Sequence, residues 1–244
     1  MDTRAVERIL SFIKVQDSKV LEVGPGYGVL TRALLEQGAT VVAVELDPAL
    51  CESLQSMFSA EIECERLILI RGDATRCPLP PFDKVVSNLP YSVSSRITFR
   101  LLNIGFSEAV LMFQKEFAER MIARPGTPGC GRLSIMVQTY ADIEPCFELS
   151  PRAFNPMPRV RSMVLHLVPH EPRFPLKDRK LYGDVVRALF SNRRKTVRNG
   201  LKSLRSILEP GQLDLLLSFV PDDILASRPE ELQLEDFALI ANSG

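Results

Sequence analysis

The 244-residue chain has two histidines and five scattered cysteines, Cys51, Cys64, Cys77, Cys130 and Cys146, with no CxxC pair among them. An odd, dispersed set argues against a disulfide framework, and so few histidines argue against a zinc site, so no metal is expected. A reducing cytoplasm is the expected compartment. No eighteen consecutive residues are apolar, so no membrane-spanning helix is expected. The N-terminus is amphipathic and carries acids within its first seven residues, unlike a secretory signal peptide. Net charge is absent as well, since 30 Lys/Arg balance 30 Asp/Glu. What is present is ordinary for a globular protein: 45% hydrophobic and 25% charged residues. Those values exclude a disordered tail or a collagen-like chain, and the length fits one large domain with or without a small appendage.

The zero net charge conceals an uneven distribution. Residues 1–149 hold 15 basic and 19 acidic side chains, residues 150–205 hold 14 and 3, and residues 206–244 hold 1 and 8. A local excess of eleven positive charges predicts an anionic partner, most commonly nucleic acid. A solvated basic face with no partner is the plainer alternative.

Short apolar runs alternate with amphipathic segments over the first two thirds. Strands are expected at 19–23, 40–44, 66–71, 83–87 and 108–113, with helices at 28–37, 48–57, 94–102 and 115–123. This alternation predicts βαβ units and a mainly parallel sheet. Segments 133–140 and 163–168 are expected to add an antiparallel edge, separated by a proline-rich loop at 150–158. A linker is placed at 170–177, which contains Pro172 and Pro175. Beyond it, 178–190, 195–208, 211–219 and 232–241 have helical periodicity. The expected division is a catalytic domain over 1–169 and a small helical domain over 170–244.

The stretch Val20-Leu-Glu22-Val-Gly24-Pro-Gly26-Tyr-Gly28 places a glycine-rich turn between a strand and a helix. Glycines let backbone pass close beneath a ligand, and a helix N-terminus presents free N–H groups. The spacing is GxGxG and not the dinucleotide GxGxxG. Glu45 ends the second strand, where an acid can accept from both ribose hydroxyls, and Asp73 ends the third, where a carboxylate can accept from an adenine amino group. Either acid could instead be a helix cap, and Asp47 before Pro48 reads as an N-cap. Together the three features favour an adenosine-containing cofactor, with an NAD enzyme still open at this point.

The fourth strand ends in Asn88-Leu89-Pro90-Tyr91, which favours methyl transfer over hydride transfer. An aromatic amine is a poor nucleophile because its lone pair is delocalised. An Asn carbonyl and a nearby backbone carbonyl can hold its two N–H groups and favour the tetrahedral form. Pro90 stiffens the turn, and Tyr91 can stack on a base turned out of its helix. An ordinary strand-ending turn is the plainer alternative.

The chain resembles the small-subunit ribosomal RNA adenine N6-dimethyltransferases. The resemblance covers nearly all of it: Glu22-Val-Gly24-Pro-Gly26-Tyr-Gly28, Glu45, Gly72-Asp73-Ala74, Asn88-Leu-Pro-Tyr91, Phe113–Arg120, Gly131–Ser134, Phe154–Ser162 and Phe190–Asn199. It implies a Rossmann-like α/β methyltransferase fold, with a mostly parallel seven-stranded sheet, helices on both faces and a small C-terminal helical domain. It implies S-adenosyl-L-methionine as cofactor, bound by Glu22, Gly24, Gly26, Gly28, Glu45, Leu46, Asp73, Ala74 and Asn88. The catalytic set would be Asn88, Leu89, Pro90 and Tyr91, with Phe154 closing on the other face of the base. Phe154 read simply is a loop aromatic plugging the core. The implied product is N6,N6-dimethyladenosine at two adjacent adenosines near the 3′ end of small-subunit rRNA, made during ribosome biogenesis. Family members usually begin with a short Gln-containing segment ending in Phe-Leu. Here Met1 lies almost at the first helix, so the expectation is either a shortened chain or a more open cofactor pocket. The short C-terminal part is closer to archaeal than to bacterial members.

Arg193, Arg194, Lys195, Arg198, Lys202 and Arg205 fall at spacings of three to four and are expected to line one side of a helix along a phosphate backbone. Arg159 and Arg161 are expected to contact phosphates beside the base pocket. A monomer is the default. The other readings are a large-subunit rRNA adenine methyltransferase of the macrolide-resistance type, a non-catalytic RNA-binding assembly or transcription factor, and an N-methyltransferase acting on protein glutamine or DNA adenine.

Overall fold

The computed structural model describes residues 2–154, 157 and 159–244. Seven strands, β1 (Lys19–Val23), β2 (Thr40–Glu45), β3 (Leu67–Arg71), β4 (Lys84–Asn88), β5 (Glu108–Gln114), β6 (Ala141–Leu149) and β7 (Ser162–Pro169), form one sheet in the order β3-β2-β1-β4-β5-β7-β6. The first five pair in parallel, while β7 runs antiparallel to both β5 and β6. Strands β1, β2 and β4 are buried almost throughout, which is why they read as continuous apolar runs and not as alternating ones. The strand order reverses between β1 and β4, the place where sheets of this kind open a crevice at their carboxyl ends.

The chain divides into two compact units, one made of residues 1–118 and 141–169, the other of residues 119–140 and 170–244. The first contains the sheet with helices α1 (Thr3–Leu10), α2 (Val29–Glu36), α3 (Pro48–Met57), α4 (Ser59–Glu63) and α5 (Ser94–Ile104), and α6 (Lys115–Ile122) leads out of it. Its core joins Leu34, Val41, Ala43, Phe58, Val86, Val110 and Val164. The second contains α7 (Arg132–Tyr140), α8 (Arg179–Ser191), α9 (Val197–Leu201), α10 (Gln212–Phe219), α11 (Asp222–Ala226) and α12 (Leu234–Asn242), around Tyr182, Val185, Leu189, Leu201, Leu216 and Phe237. Segment 119–140 therefore packs with the C-terminal helices, where a single cut after residue 169 would have left it with the sheet.

The segment expected as an edge strand at 133–140 is the helix α7. Ile135, Val137 and Thr139 are buried. The Thr139 hydroxyl donates to the Ile135 carbonyl at 2.7 Å, and Gln138 Nε2 donates to the carbonyls of Met121 and Ala123. The edge strand is β6, one step later, with an irregularity between Pro145 and Phe147. Proline lacks the N–H a central strand needs, and an edge tolerates it.

Candidate functional site

The carboxyl ends of the parallel strands are fastened together by their own backbone. The Gly24 N–H donates to the Val44 carbonyl and the Gly72 N–H to the Glu45 carbonyl, each at 2.8 Å. On the other side of β1, the Val23 N–H donates to Ser87 Oγ at 3.2 Å, and the Ser87 hydroxyl donates to the Val23 carbonyl at 2.7 Å. Sequence reasoning missed Ser87, whose signal was a small polar residue at a buried position just before Asn88. These bonds bring the glycine turn, the Glu45 loop, the Asp73 loop and the Asn88 turn to one edge.

Gly24, Gly26 and Gly28 all have positive φ, between 58° and 73°. A Cβ on Gly26 would meet nothing within 4 Å, while one on Gly28 would sit 2.6 Å from a Phe58 ring carbon. Gly26 thus leaves open room above the turn, and Gly28 is required by the packing beneath it. A Cβ on Gly24 would lie 3.2 Å from Pro90 Cγ, so the glycine turn and the Asn88–Tyr91 turn are direct neighbours.

Glu45 is buried, and its carboxylate accepts from the N–H of Gly26 at 3.2 Å, Leu46 at 2.8 Å and Asp47 at 3.0 Å. Oε1 takes two of these bonds and Oε2 one, so Oε2 keeps an acceptor position for a ligand. Asp47 caps α3, as expected, by accepting from the N–H of Ala49 and Leu50. Leu46 is 68% exposed beside this loop. Asp73 accepts at Oδ1 from both the N–H and the hydroxyl of Thr75, and Oδ2 pairs with Arg76 at 3.1 Å. The Thr75 bonds, with Arg76 and Arg96 nearby, hold its carboxyl below the usual range.

Glu22 is fully buried beneath the glycine turn and accepts from the Thr31 hydroxyl at 2.6 Å. Burial pushes its carboxyl up to about 8, against the pull of the Thr31 bond and with help from the charge of Glu45. Glu22 is thus a protonated packing group at neutral pH. Between the unfolded pKa near 4.5 and the folded value near 8, the native state binds the extra proton, so stability falls as pH rises through that interval. The isosteric Glu22→Gln lacks this titration. Its stability relative to the parent is expected to grow from about pH 5 to about pH 8 and then level off, and urea unfolding across that range checks it.

Asn88 ends β4 opposite Met112. Its amide oxygen Oδ1 is buried and has no hydrogen-bond partner. Buried acceptors are nearly always satisfied, and an orphan at a crevice is what a bound donor would complete. Tyr91 is half-buried, and its hydroxyl lies 2.7 Å from Oγ of the buried Ser162 on β7. That bond anchors the far end of the ring. Leu89 buries its side chain completely, so its share in the site is limited to its backbone. Phe154 is half-buried and packs against the core of the first unit, which matches the plainer reading of this residue better than that of a base-closing ring. Asn155, Pro156 and Pro158 of the same loop lie outside the described residues. The open Gly26 turn, the spare acceptor on Glu45, exposed Leu46 and the orphaned Asn88 oxygen fit an S-adenosyl cofactor.

In the second unit the expected basic helix is not continuous. Arg193, Arg194 and Lys195 lie in the turn between α8 and α9, closed by a 2.8 Å bond from the Lys195 N–H to the Asn192 carbonyl. Only Arg198 is in α9, while Lys202 and Arg205 lie in a 3₁₀ turn. Arg193 pairs with Glu230 at 2.6 Å and also donates to the Pro128 carbonyl, Arg198 pairs with Asp222 at 2.8 Å, and Arg205 faces Asp214 at 3.9 Å. Arg194 and Lys195 are exposed with no ion pair among the described residues, and with Lys202, Asn192 and Asn199 they line an open concavity of 760 Å³. Arg159 and Arg161 are exposed, and Arg161 reaches Glu148 at 3.4 Å. Among the described residues no cluster of His, Cys, Asp and Glu is arranged to hold a metal ion, and no helix is long and apolar enough to cross a membrane.

Comparison with known proteins agrees with this geometry. The family described as ribosomal RNA adenine dimethylase matches residues 1–242. A probable ribosomal RNA small subunit methyltransferase A of Methanospirillum hungatei is 55% identical over 99% of this chain and 94% of its own length. One of the same description from Methanosarcina mazei is 41% identical over 99% of this chain and 89% of its own. Among solved structures, a dimethyladenosine transferase from Plasmodium falciparum superposes with a TM-score of 0.79 at 28% identity, covering 97% of this chain and 94% of that one. The 23S rRNA methyltransferase ErmE shares the fold, with a TM-score of 0.71 at 24% identity over 100% of this chain and 98% of that one. The fold is the Rossmann-like methyltransferase α/β fold with a C-terminal helical extension, and the chain belongs to the ribosomal RNA adenine dimethylase family of S-adenosylmethionine-dependent methyltransferases.

Proposed function

We propose that this protein dimethylates N6 of two adjacent adenosines near the 3′ end of small-subunit ribosomal RNA during assembly of the small subunit. The observation that carries this reading is the buried, unpartnered Asn88 oxygen, set beside the open glycine turn. When bound, S-adenosylmethionine supplies an electrophilic methyl group. Asn88 Oδ1 accepts one N–H of the adenine amine, which orients the nitrogen and draws its lone pair out of conjugation. Pro90, packed beside Gly24, keeps that turn rigid. Tyr91, tethered through its hydroxyl to Ser162, offers its ring to the face of the base. No strong base is required, because the amine nitrogen becomes acidic as its new bond forms and then loses its proton to water, the demethylated thioether being the leaving group. Positioning and electrostatic fit then carry most of the rate. The names of the relatives, a small-subunit rRNA methyltransferase and a dimethyladenosine transferase, support the substrate and the product.

The test is transfer of labelled methyl groups to under-methylated small subunits, with nucleoside mass spectrometry of the product. Dimethyladenosine in small-subunit rRNA is the expected result. Label confined to large subunits, or no label on either, would overturn the reading.

The second unit supplies phosphate contacts on the same reading. Arg194 and Lys195, exposed with no ion pair among the described residues, are free to give two of them. Replacing both with glutamine is expected to flatten the slope of log K against log salt by about 1.5 for a small-subunit rRNA fragment. Arg193→Gln, which breaks the Glu230 pair, is expected to change that slope less. Binding titrations over a series of potassium chloride concentrations check both.

A further inference from the structure

We infer that Arg100 is a positioning residue for methyl transfer, holding the loop after β3 in register with the Asn88–Tyr91 turn. The inference rests on the reading of this sheet edge as the cofactor site. Arg100 lies on α5, nine positions after Tyr91. Its guanidinium donates to the Ala74 carbonyl at 2.6 Å and, from its other terminal nitrogen, to the Cys77 carbonyl. Both acceptors belong to the irregular segment that carries Asp73. Within that segment the Asp73 carbonyl accepts from the N–H of Arg76 and Cys77, and its carboxylate caps Thr75. The turn thus fixes its own internal shape. Its start is tied to β2 by the Gly72 N–H bond to the Glu45 carbonyl, while its far part, at Ala74 and Cys77, is held to α5 by the Arg100 fork, whose bonds are charge-assisted and planar.

The opposite end of α5 is fastened to the catalytic turn. The Val93 N–H and the Ser94 hydroxyl each donate to the Pro90 carbonyl at 3.1 Å, and the Thr98 hydroxyl donates to the Ser94 carbonyl at 2.8 Å. A single rigid helix therefore connects the turn that holds the base to the loop that carries Asp73. Arg96, on the same helix, adds its positive charge to the surroundings of the Asp73 carboxylate. Ile97, Thr98 and Leu101 anchor α5 in the interior, so the helix does not depend on Arg100 to stay in place.

Lysine keeps the charge of Arg100 but engages one carbonyl at a time, and methionine keeps only the stem. Calorimetric titration of S-adenosylmethionine, with steady-state kinetics and thermal melts, compares the parent with Arg100→Met, Arg100→Lys and Asp73→Ala. Arg100→Met is expected to raise the Kd and KM for S-adenosylmethionine about tenfold, with Arg100→Lys between it and the parent. The KM for small subunits should stay within about twofold. A purely structural residue would lower the melting temperature and the active fraction without this split. The inference fails if folded Arg100→Met binds S-adenosylmethionine as the parent does while Asp73→Ala binds weakly, or if only kcat falls. Should neither substitution change binding, the cofactor reading of the loop fails with it. Where Arg100→Met does not fold, parental affinity in Arg100→Lys is itself the overturning result.

Discussion

Asn88→Ala is expected to slow methyl transfer by about a thousandfold or more while leaving affinity for small-subunit rRNA near the parental value. The side chain offers the amine an acceptor that is already desolvated and already aimed, since Oδ1 is buried and unpartnered. Alanine removes that acceptor without touching the bonds that fix the strand end. Those run through Ser87 to Val23 and through the Leu89 N–H to the Met112 carbonyl. Asn88→Asp separates charge from shape, because it keeps an acceptor but loses the amide donor. Single-turnover labelling with saturating S-adenosylmethionine, beside a filter-binding titration of rRNA, is the measurement. A mutant within tenfold of the parent would show that the amine is held elsewhere.

Gly28→Ala is expected to be the most damaging small substitution in the glycine turn for stability. Its φ is +73°, and a Cβ would fall 2.6 Å from Phe58 and 2.9 Å from Leu54. Both side chains are 1% exposed, so making room for the methyl means shifting packed core groups. The left-handed backbone costs about 1–2 kcal/mol and overpacking about 1–3 kcal/mol. For a protein of this size the sum corresponds to a melting temperature lower by about 10 °C. Gly26→Ala shares the positive φ but meets nothing within 4 Å. It is expected to cost about 1 kcal/mol of stability and to lose S-adenosylmethionine affinity instead, because its methyl enters the ligand's space. Thermal melts with and without S-adenosylmethionine separate the two effects. Equal melting temperatures for the two variants would contradict the assignment of packing to Gly28 and of ligand space to Gly26.

The parallel sheet was legible because buried strands between helices leave few apolar patterns that fit anything else, and because the turn after β1 needs left-handed backbone. The edge that carries the candidate site was legible for the same reason: Glu45 and Asn88 are polar residues that end strands otherwise buried. Segment 133–140 was misread as a strand because Ile135 and Val137 are β-branched, and the Gln138 bonds to Met121 and Ala123 that favour a helix cross into another segment. The basic stretch was misread as one helix because spacing alone does not record the turn between α8 and α9 that holds Arg193, Arg194 and Lys195, nor the pairing of Arg193 and Arg198 with Glu230 and Asp222, tens of residues later. Ser87, Ser162 and Arg100 were missed because each acts through a partner distant in sequence.

The acidic C-terminal segment gives the basic one an internal counterion. Arg193, Arg198 and Arg205 each already face a carboxylate, so a phosphate arriving there exchanges one anion for another. The Arg198 and Arg205 pairs are solvent-exposed, and such pairs are worth little, so for those two the exchange is nearly isoenergetic. The carboxylate neighbours of these arginines lower the local positive potential, so the eleven surplus charges of residues 150–205 overstate the field that a polyanion meets there. Selectivity is left to polyanions whose rigid spacing satisfies several such exchanges at once.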